Sequence, residues 1–165
     1  MGLKSLLLFP VFLYCVVRAD DLGFLGCQDV TLEQEKWEDW YVVSGEHGRL
    51  LGNNYSFDFL VDSNAKFVFD RVDENEPYFY ITYVKDGQKL FVYMTDTEDK
   101  SVESVDAEPG TKGQWKVTRV EDGKYTLSPK ELPDWFMCMS GDFFGTIKFC
   151  HAEAGPEGTF SIKNR

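Results

Sequence analysis

From residue 37 onward, the chain consists of short runs rich in aromatic and β-branched residues, separated by Gly, Asp, Asn and Pro. This pattern predicts strands and turns, and their spacing is typical of a β-barrel or a β-sandwich. Asp86-Gly87 and Asp122-Gly123 predict tight hairpin turns, because glycine accepts a positive φ. The pattern predicts strands over residues 40–44, 49–51, 56–61, 66–72, 78–84, 89–94, 101–105, 114–120, 124–127, 135–139, 146–149 and 159–163.

Residues 20–36 are weakly patterned and are predicted to form a short N-terminal arm. Within the arm, the run Thr31-Leu-Glu-Gln34 is a candidate for the start of a short helix.

An internal repeat runs along the rest of the chain. Segments 67–72, 115–120 and 160–165 each begin with an aromatic residue, Phe67, Trp115 or Phe160, and place an apolar residue two positions later. The three aromatic residues are 48 and 45 residues apart. Two further series precede them: 39–43, 78–81 and 124–127 in one, and 50–51, 90–92 and 135–137 in the other. These series predict three repeats, at 37–76, 77–123 and 124–165.

With four strands in each repeat, residues 39–165 resemble the β-trefoil superfamily, which includes interleukin-1-like cytokines, fibroblast growth factors, fascins, ricin-type lectins and Kunitz-type inhibitors. The resemblance implies an all-β fold, a three-fold trefoil barrel of about twelve short strands in which six strands close a barrel and three hairpins cap it. Ricin-type lectins carry Gln-x-Trp in each repeat, whereas this chain has Gln114-Trp115 without the intervening residue. The basic patch of the heparin-binding growth factors is also absent, so no subfamily is assigned.

The alternative is a lipocalin-like up-and-down barrel, which the mature length and the aromatic strands also resemble. Lipocalins usually carry Gly-x-Trp before the first strand, and this chain has Glu35-Lys-Trp37 there. The two folds differ in their interior, because a trefoil core is filled with side chains and a lipocalin barrel leaves a cavity.

Residues 1–19 have the pattern of a secretory signal peptide. Lys4 precedes an apolar run over residues 6–17, and cleavage is expected after Ala19. The apolar run is shorter than the roughly 20 residues that a spanning helix needs. The mature chain is therefore predicted to be a single secreted domain over residues 20–165, with no membrane insertion.

The chain is acidic, with a formal net charge of −11, and loss of Lys4 and Arg18 with the signal makes the mature chain more negative. Such a charge disfavours binding to nucleic acid and to anionic membranes. Its simplest consequence is solubility.

Three cysteines remain after the signal is removed: Cys27, Cys138 and Cys150. An odd number in an oxidising compartment predicts one disulfide plus either a free thiol or a disulfide-linked dimer. We favour Cys138–Cys150, because these residues flank one short turn over residues 141–145; a turn centred on Phe143 would place them diagonally. Cys27 is the alternative partner of either.

Two surface features are candidates for modification or binding. Asn54-Tyr55-Ser56 is an N-glycosylation sequon in a predicted loop, with an unoccupied asparagine as the alternative. Phe143 and Phe144 form an aromatic pair at a hairpin turn, where exposed apolar side chains can mark a contact surface. The alternative is that these rings fold back over the barrel mouth.

The sequence lacks recognisable catalytic or cofactor-binding motifs. His47 and His151 have no metal-ligand spacing, and the acidic clusters at 70–76 and 96–99 do not match a calcium loop. No enzyme activity, cofactor or metal is therefore predicted. We expect a secreted interaction module that binds a protein or a glycan through its hairpin loops. The alternatives are a carrier of a small hydrophobic ligand and an inhibitor of a secreted protease.

Overall fold

The computed structural model describes residues 22, 29–37, 39–54, 66–95, 101–141, 145–151 and 155–164, with the side chains of Asn54, His151 and Asn164 left out. The predicted signal peptide, Cys27 and the predicted strand at 56–61 lie outside these residues, as do Phe143 and Phe144. None of the described segments forms a helix with the length and apolarity needed to cross a membrane.

The described part of the chain is all-β. Its strands are β1 (Val30–Gln34), β2 (Trp40–Ser44), β3 (Leu50–Asn54), β4 (Val68–Arg71), β5 (Tyr78–Lys85), β6 (Gln88–Met94), β7 (Val102–Val105), β8 (Gln114–Glu121), β9 (Lys124–Pro129), β10 (Trp135–Met139), β11 (Ile147–His151) and β12 (Phe160–Asn164). Three short 3-10 turns cover Glu46–Gly48, Gly110–Gly113 and Pro156–Gly158.

Six strands form a closed cycle of antiparallel pairs. β1 pairs with β12, β12 with β9, β9 with β8, β8 with β5 and β5 with β4. The last link is a bridge between Val30 and Phe67, in which the two residues exchange backbone hydrogen bonds of 2.9 and 2.8 Å. Closing the cycle satisfies strand edges that would otherwise be exposed.

The other six strands form three hairpins, β2–β3, β6–β7 and β10–β11. Each hairpin touches both others through one bridge: Arg49 pairs with Glu103, Leu51 with Thr146 and Ser101 with Lys148. Six barrel strands and three mutually bridged hairpins are the arrangement of a β-trefoil, as the repeats predict.

Side chains fill the interior, and the three predicted anchors Phe67, Trp115 and Phe160 are completely buried. The indole of Trp115 donates to the carbonyl of Val92 over 3.0 Å and stacks on Phe149 at 5.6 Å between ring centroids. A filled interior and the pairing of β5 with β8 show that the lipocalin-like up-and-down alternative is wrong.

The predicted helix start at Thr31 is also wrong, because residues 30–34 form β1, inside the stretch assigned to the N-terminal arm. All five residues of β1 pair with β12, and this tertiary pairing outweighs the weak local preference for a helix turn. The first repeat therefore begins at β1, so Val30 and Leu32, rather than residues 39–43, are equivalent to the buried residues of β5 and β9.

Candidate ligand cleft

A cleft of about 650 Å³ lies on the outer surface of the barrel, over β8 and β9. The alternation of side chains along a strand explains its floor. Trp115 and Val117 of β8 are buried in the core, so the residues between and after them, Lys116 and Thr118, face outward into the cleft.

β9 supplies the other half of the floor through two hydroxyl side chains. Ser128 lies opposite Lys116 in the antiparallel register, and Thr126 lies opposite Thr118. Each is only 6% exposed, because the cleft encloses them. The floor is therefore a row of hydroxyl groups beside one lysine.

β10 forms one wall through Phe136, which is half-buried and lines the cleft next to Pro133. Phe136 pairs with Cys150 in the hairpin, and Cys138 is disulfide-bonded to Cys150. This bond confirms the predicted Cys138–Cys150 pairing. The predicted diagonal placement is also confirmed, since Cys138 lies opposite Lys148, and the two Cα atoms are 6.0 Å apart.

The turn at 155–159 contacts β10 and continues the wall with Gly155, Pro156 and Thr159. Gln34, at the end of β1, holds this turn: its amide nitrogen donates to the carbonyls of Pro156 over 2.7 Å and of Glu157 over 2.8 Å. Within the turn, the Thr159 hydroxyl donates to the carbonyl of Gly155 over 2.8 Å. The wall is therefore fixed by a buried side chain from the other end of the chain.

Tyr78 lines the cleft from β5, where it lies opposite Lys116. The ammonium of Lys130 sits 4.6 Å from the centre of the Tyr78 ring and forms a 2.5 Å ion pair with Glu76. The Lys130 charge is thus already compensated next to the ring.

Two carboxylates, Glu35 and Glu121, lie at the cleft rim, and Lys124 binds both. The hydrogen bonds that Lys124 donates to Glu35 and Glu121 raise the pKa of Lys124 above its ordinary value. Both rim carboxylates therefore have a cation beside them.

The residues singled out in the sequence lie elsewhere or outside the described part. Asn54 is the last residue of β3, and His47 is exposed in the turn at 46–48 with a φ of 55°. In the acidic segment 70–76, Asp70 pairs with Lys89, and Asp73 accepts from the backbone of Asn75. Among the described residues, no three His, Cys, Asp or Glu side chains are grouped so that they could hold a metal ion.

The cleft itself is not predicted by any motif. Alternation in the predicted strands 114–120 and 124–127 could have placed Lys116, Thr118 and Thr126 on the outer face. Phe136 and Pro156 reach them only through tertiary contacts, which no local pattern encodes.

Comparisons with solved structures place the fold in a known group. The chain superposes on the designed 3-fold symmetric protein ThreeFoil with a TM-score of 0.67 at 13% identity, covering 82% of this chain and 98% of that one. A Polyporus squamosus lectin, solved bound to the epitope Neu5Aca2-6Galb1-4GlcNAc, gives a TM-score of 0.68 at 11% identity, covering 84% of this chain and 49% of that one. A mosquitocidal holotoxin gives 0.71 at 10% identity over 87% of this chain.

The chain therefore has a β-trefoil fold. It spans 18% of the holotoxin and about half of the lectin, so each of these is a longer chain. No protein-family model matches the sequence. No curated protein sequence matches it either.

Proposed function

We propose that this protein is a secreted, non-enzymatic binding module that takes a glycan into the cleft over β8 and β9. One observation carries the proposal: the half-buried Phe136 ring faces a floor of hydroxyl side chains within one cleft.

This combination suits a sugar for a physical reason. A sugar ring has apolar C–H faces and a rim of hydroxyl groups, so one face can pack on an aromatic ring while the rim forms hydrogen bonds. Phe136 offers the ring, and Thr126 and Ser128 offer hydroxyl partners. The cleft volume also falls in the range of roughly 300–1,000 Å³ that is usual for small-molecule sites.

The likeness to a glycan-bound lectin of the same fold supports this ligand class over a protein partner. The filled barrel argues against the alternative of a hydrophobic carrier, since the cleft is outside the barrel.

Secretion and the absence of catalysis are parts of the same proposal. The signal-like residues 1–19 support export, and the lack of a nucleophile motif in the sequence supports a binding role. Expression of the full chain in secreting cells tests both the export and the cleavage after Ala19, by N-terminal sequencing of protein from the medium.

The protein from the medium is then applied to a glycan array, together with two variants. Phe136→Ala removes the ring from the cleft, and Phe91→Ala is the matched control, because Phe91 is also a half-buried aromatic residue on a strand but lies outside the cleft. We expect selective glycan binding that falls about tenfold in Phe136→Ala, as loss of roughly 1.4 kcal/mol implies, and that is retained in Phe91→Ala.

Absence of glycan binding by the wild-type protein would overturn the proposal. So would equal binding by Phe136→Ala and the wild type. Binding that survives complete removal of glycans from a target protein would indicate a protein partner instead.

A further inference from the structure

We infer that Lys116 and Ser128 form a subsite for an anionic group, so that the preferred glycan carries a carboxylate or a sulfate ester. The inference rests on the proposed function and goes further by naming the chemical class of the ligand.

Lys116 and Ser128 are direct partners across β8 and β9. Side chains of directly opposed residues lie on the same face of a sheet, with Cβ atoms about 4.5–5.5 Å apart. Both side chains line the cleft. An ammonium and a hydroxyl at this separation can both donate to the oxygens of one acidic group.

Neither donor has a side-chain partner among the residues that the structure describes. Lys116 forms no ion pair with a described residue, unlike Lys124 and Lys130, which bind rim and flanking carboxylates. Ser128 is 6% exposed as a residue, and its hydroxyl has no hydrogen bond to another described residue. This hydroxyl lines the cleft and can therefore bond to water or to a ligand there.

The rim carboxylates do not cancel the charge of Lys116. Glu121 is five residues further along β8, which is roughly 16 Å at about 3.3 Å per residue. This separation exceeds the screening length of about 8 Å at physiological ionic strength. Both Glu121 and Glu35 are also paired with Lys124. The cleft is therefore polarised, with an available cation at the Tyr78 end and compensated carboxylates at the other.

The pair is specific to this part of the barrel. From the alignment of the anchors Phe67, Trp115 and Phe160, the equivalent cross-strand pairs are Val68–Thr82 and Ser161–Glu33. Neither combines a cation with a hydroxyl. Among the described residues, only one of the three equivalent strand pairs should therefore form such a subsite.

The test uses array glycans in matched sets: a neutral oligosaccharide, the same oligosaccharide with one sulfate ester, and the same oligosaccharide with a terminal carboxylated sugar. We expect the wild type to prefer an acidic member, and the preferred member distinguishes sulfate from carboxylate. Lys116→Gln should weaken binding of that member about tenfold or more, as expected for the loss of a hydrogen bond to a charged group. It should change binding of the neutral member less than about twofold.

Lys148→Gln is the matched control, since Lys148 is also an exposed strand lysine without a described ion pair and lies outside the cleft. Ser128→Ala should weaken binding of the acidic member more than binding of the neutral one, because the acidic group accepts a charge-assisted hydrogen bond and a sugar hydroxyl accepts an ordinary one. Added salt should weaken acidic binding by the wild type more than by Lys116→Gln.

Equal binding of neutral and acidic members by the wild type would overturn the subsite while leaving the proposed function intact. An equal loss in Lys116→Gln and Lys148→Gln would do the same. Binding of no array member would overturn the proposed function itself, so the two failures are distinguishable.

Discussion

The side-chain amide of Gln34 donates a 2.7 Å hydrogen bond to the backbone carbonyl of Pro156, 122 residues away. Gln34 is 1% exposed, and its oxygen accepts from the backbone of Trp37 over 3.3 Å. One side chain therefore joins the end of β1 to the turn that forms a wall of the cleft.

We predict that Gln34→Leu lowers the free energy of unfolding by about 2 kcal/mol, because carbonyls in the turn lose a partner that leucine cannot replace. Gln88→Leu is the control, since Gln88 is exposed and donates to Asp106 on the surface. That change should stay within about 0.5 kcal/mol. Urea unfolding measures the stability of both variants, and equal losses would show that the hydrogen bonds of Gln34 do not stabilise the turn.

The turn glycines provide a second prediction. Gly145 has a φ of +55°, and an added Cβ would lie 2.7 Å from the Trp40 ring and 3.1 Å from the backbone of Gly52. Gly87 has a φ of +79°, but an added Cβ there would meet nothing within 4 Å. Gly145→Ala should therefore destabilise the protein clearly more than the roughly 1 kcal/mol expected for Gly87→Ala. Paired thermal and urea unfolding checks the order of the two variants.

Loss of the disulfide should also weaken the fold. Cys138 and Cys150 are 12 residues apart in sequence, so we predict that the double alanine variant loses about 3 kcal/mol of stability. Urea unfolding under non-reducing conditions measures this loss. Because the bond takes Cys138 and Cys150, we expect Cys27 either to be a free thiol or to link two chains through a disulfide. Intact mass under non-reducing conditions together with a thiol titration decides between the two, and a monomer without a free thiol would contradict both.

Because Tyr83 is buried, we predict that the stability of the protein falls at high pH. Burial raises the pKa of Tyr83 above the ordinary value of 10.0, and its hydroxyl lies 2.6 Å from that of Ser104. Because the folded protein then holds this proton more tightly than the unfolded chain, the contribution is fully present below pH 10 and is lost as the pH rises through the folded pKa.

Absorbance titration of the phenolate should therefore detect a late-ionising tyrosine that disappears in Tyr83→Phe. The decline in stability above pH 10 should become shallower in the same variant. An unchanged titration curve would show that Tyr83 is not the group that ionises late.

The sequence predicts the interior better than the surface, and for a physical reason. Phe67, Trp115 and Phe160 are predicted anchors and are fully buried, because each fills an equivalent place in one core. The Cys138–Cys150 bond follows from a local turn. Both features repeat or lie close together in sequence, so they leave a pattern that can be detected.

β1 and the cleft leave no such pattern. In β1, Thr31 and Gln34 are polar but buried, because each finds a partner more than 100 residues away. The cleft likewise depends on Phe136 and Pro156 lying over β8 and β9. Only the assembled barrel brings these residues together.

β12 is paired with β9 on one side and with β1 on the other. During synthesis, β1 therefore cannot form its pairing with β12 until residues 160–164 have been made. A chain stopped before residue 160 would leave the facing edges of β1 and β9 open, whereas both are paired in the closed cycle, and open edges recruit other chains. Truncated or stalled copies should consequently aggregate, which makes the pairing of the five-residue strand β12 the step that protects the newly made barrel from association with other chains.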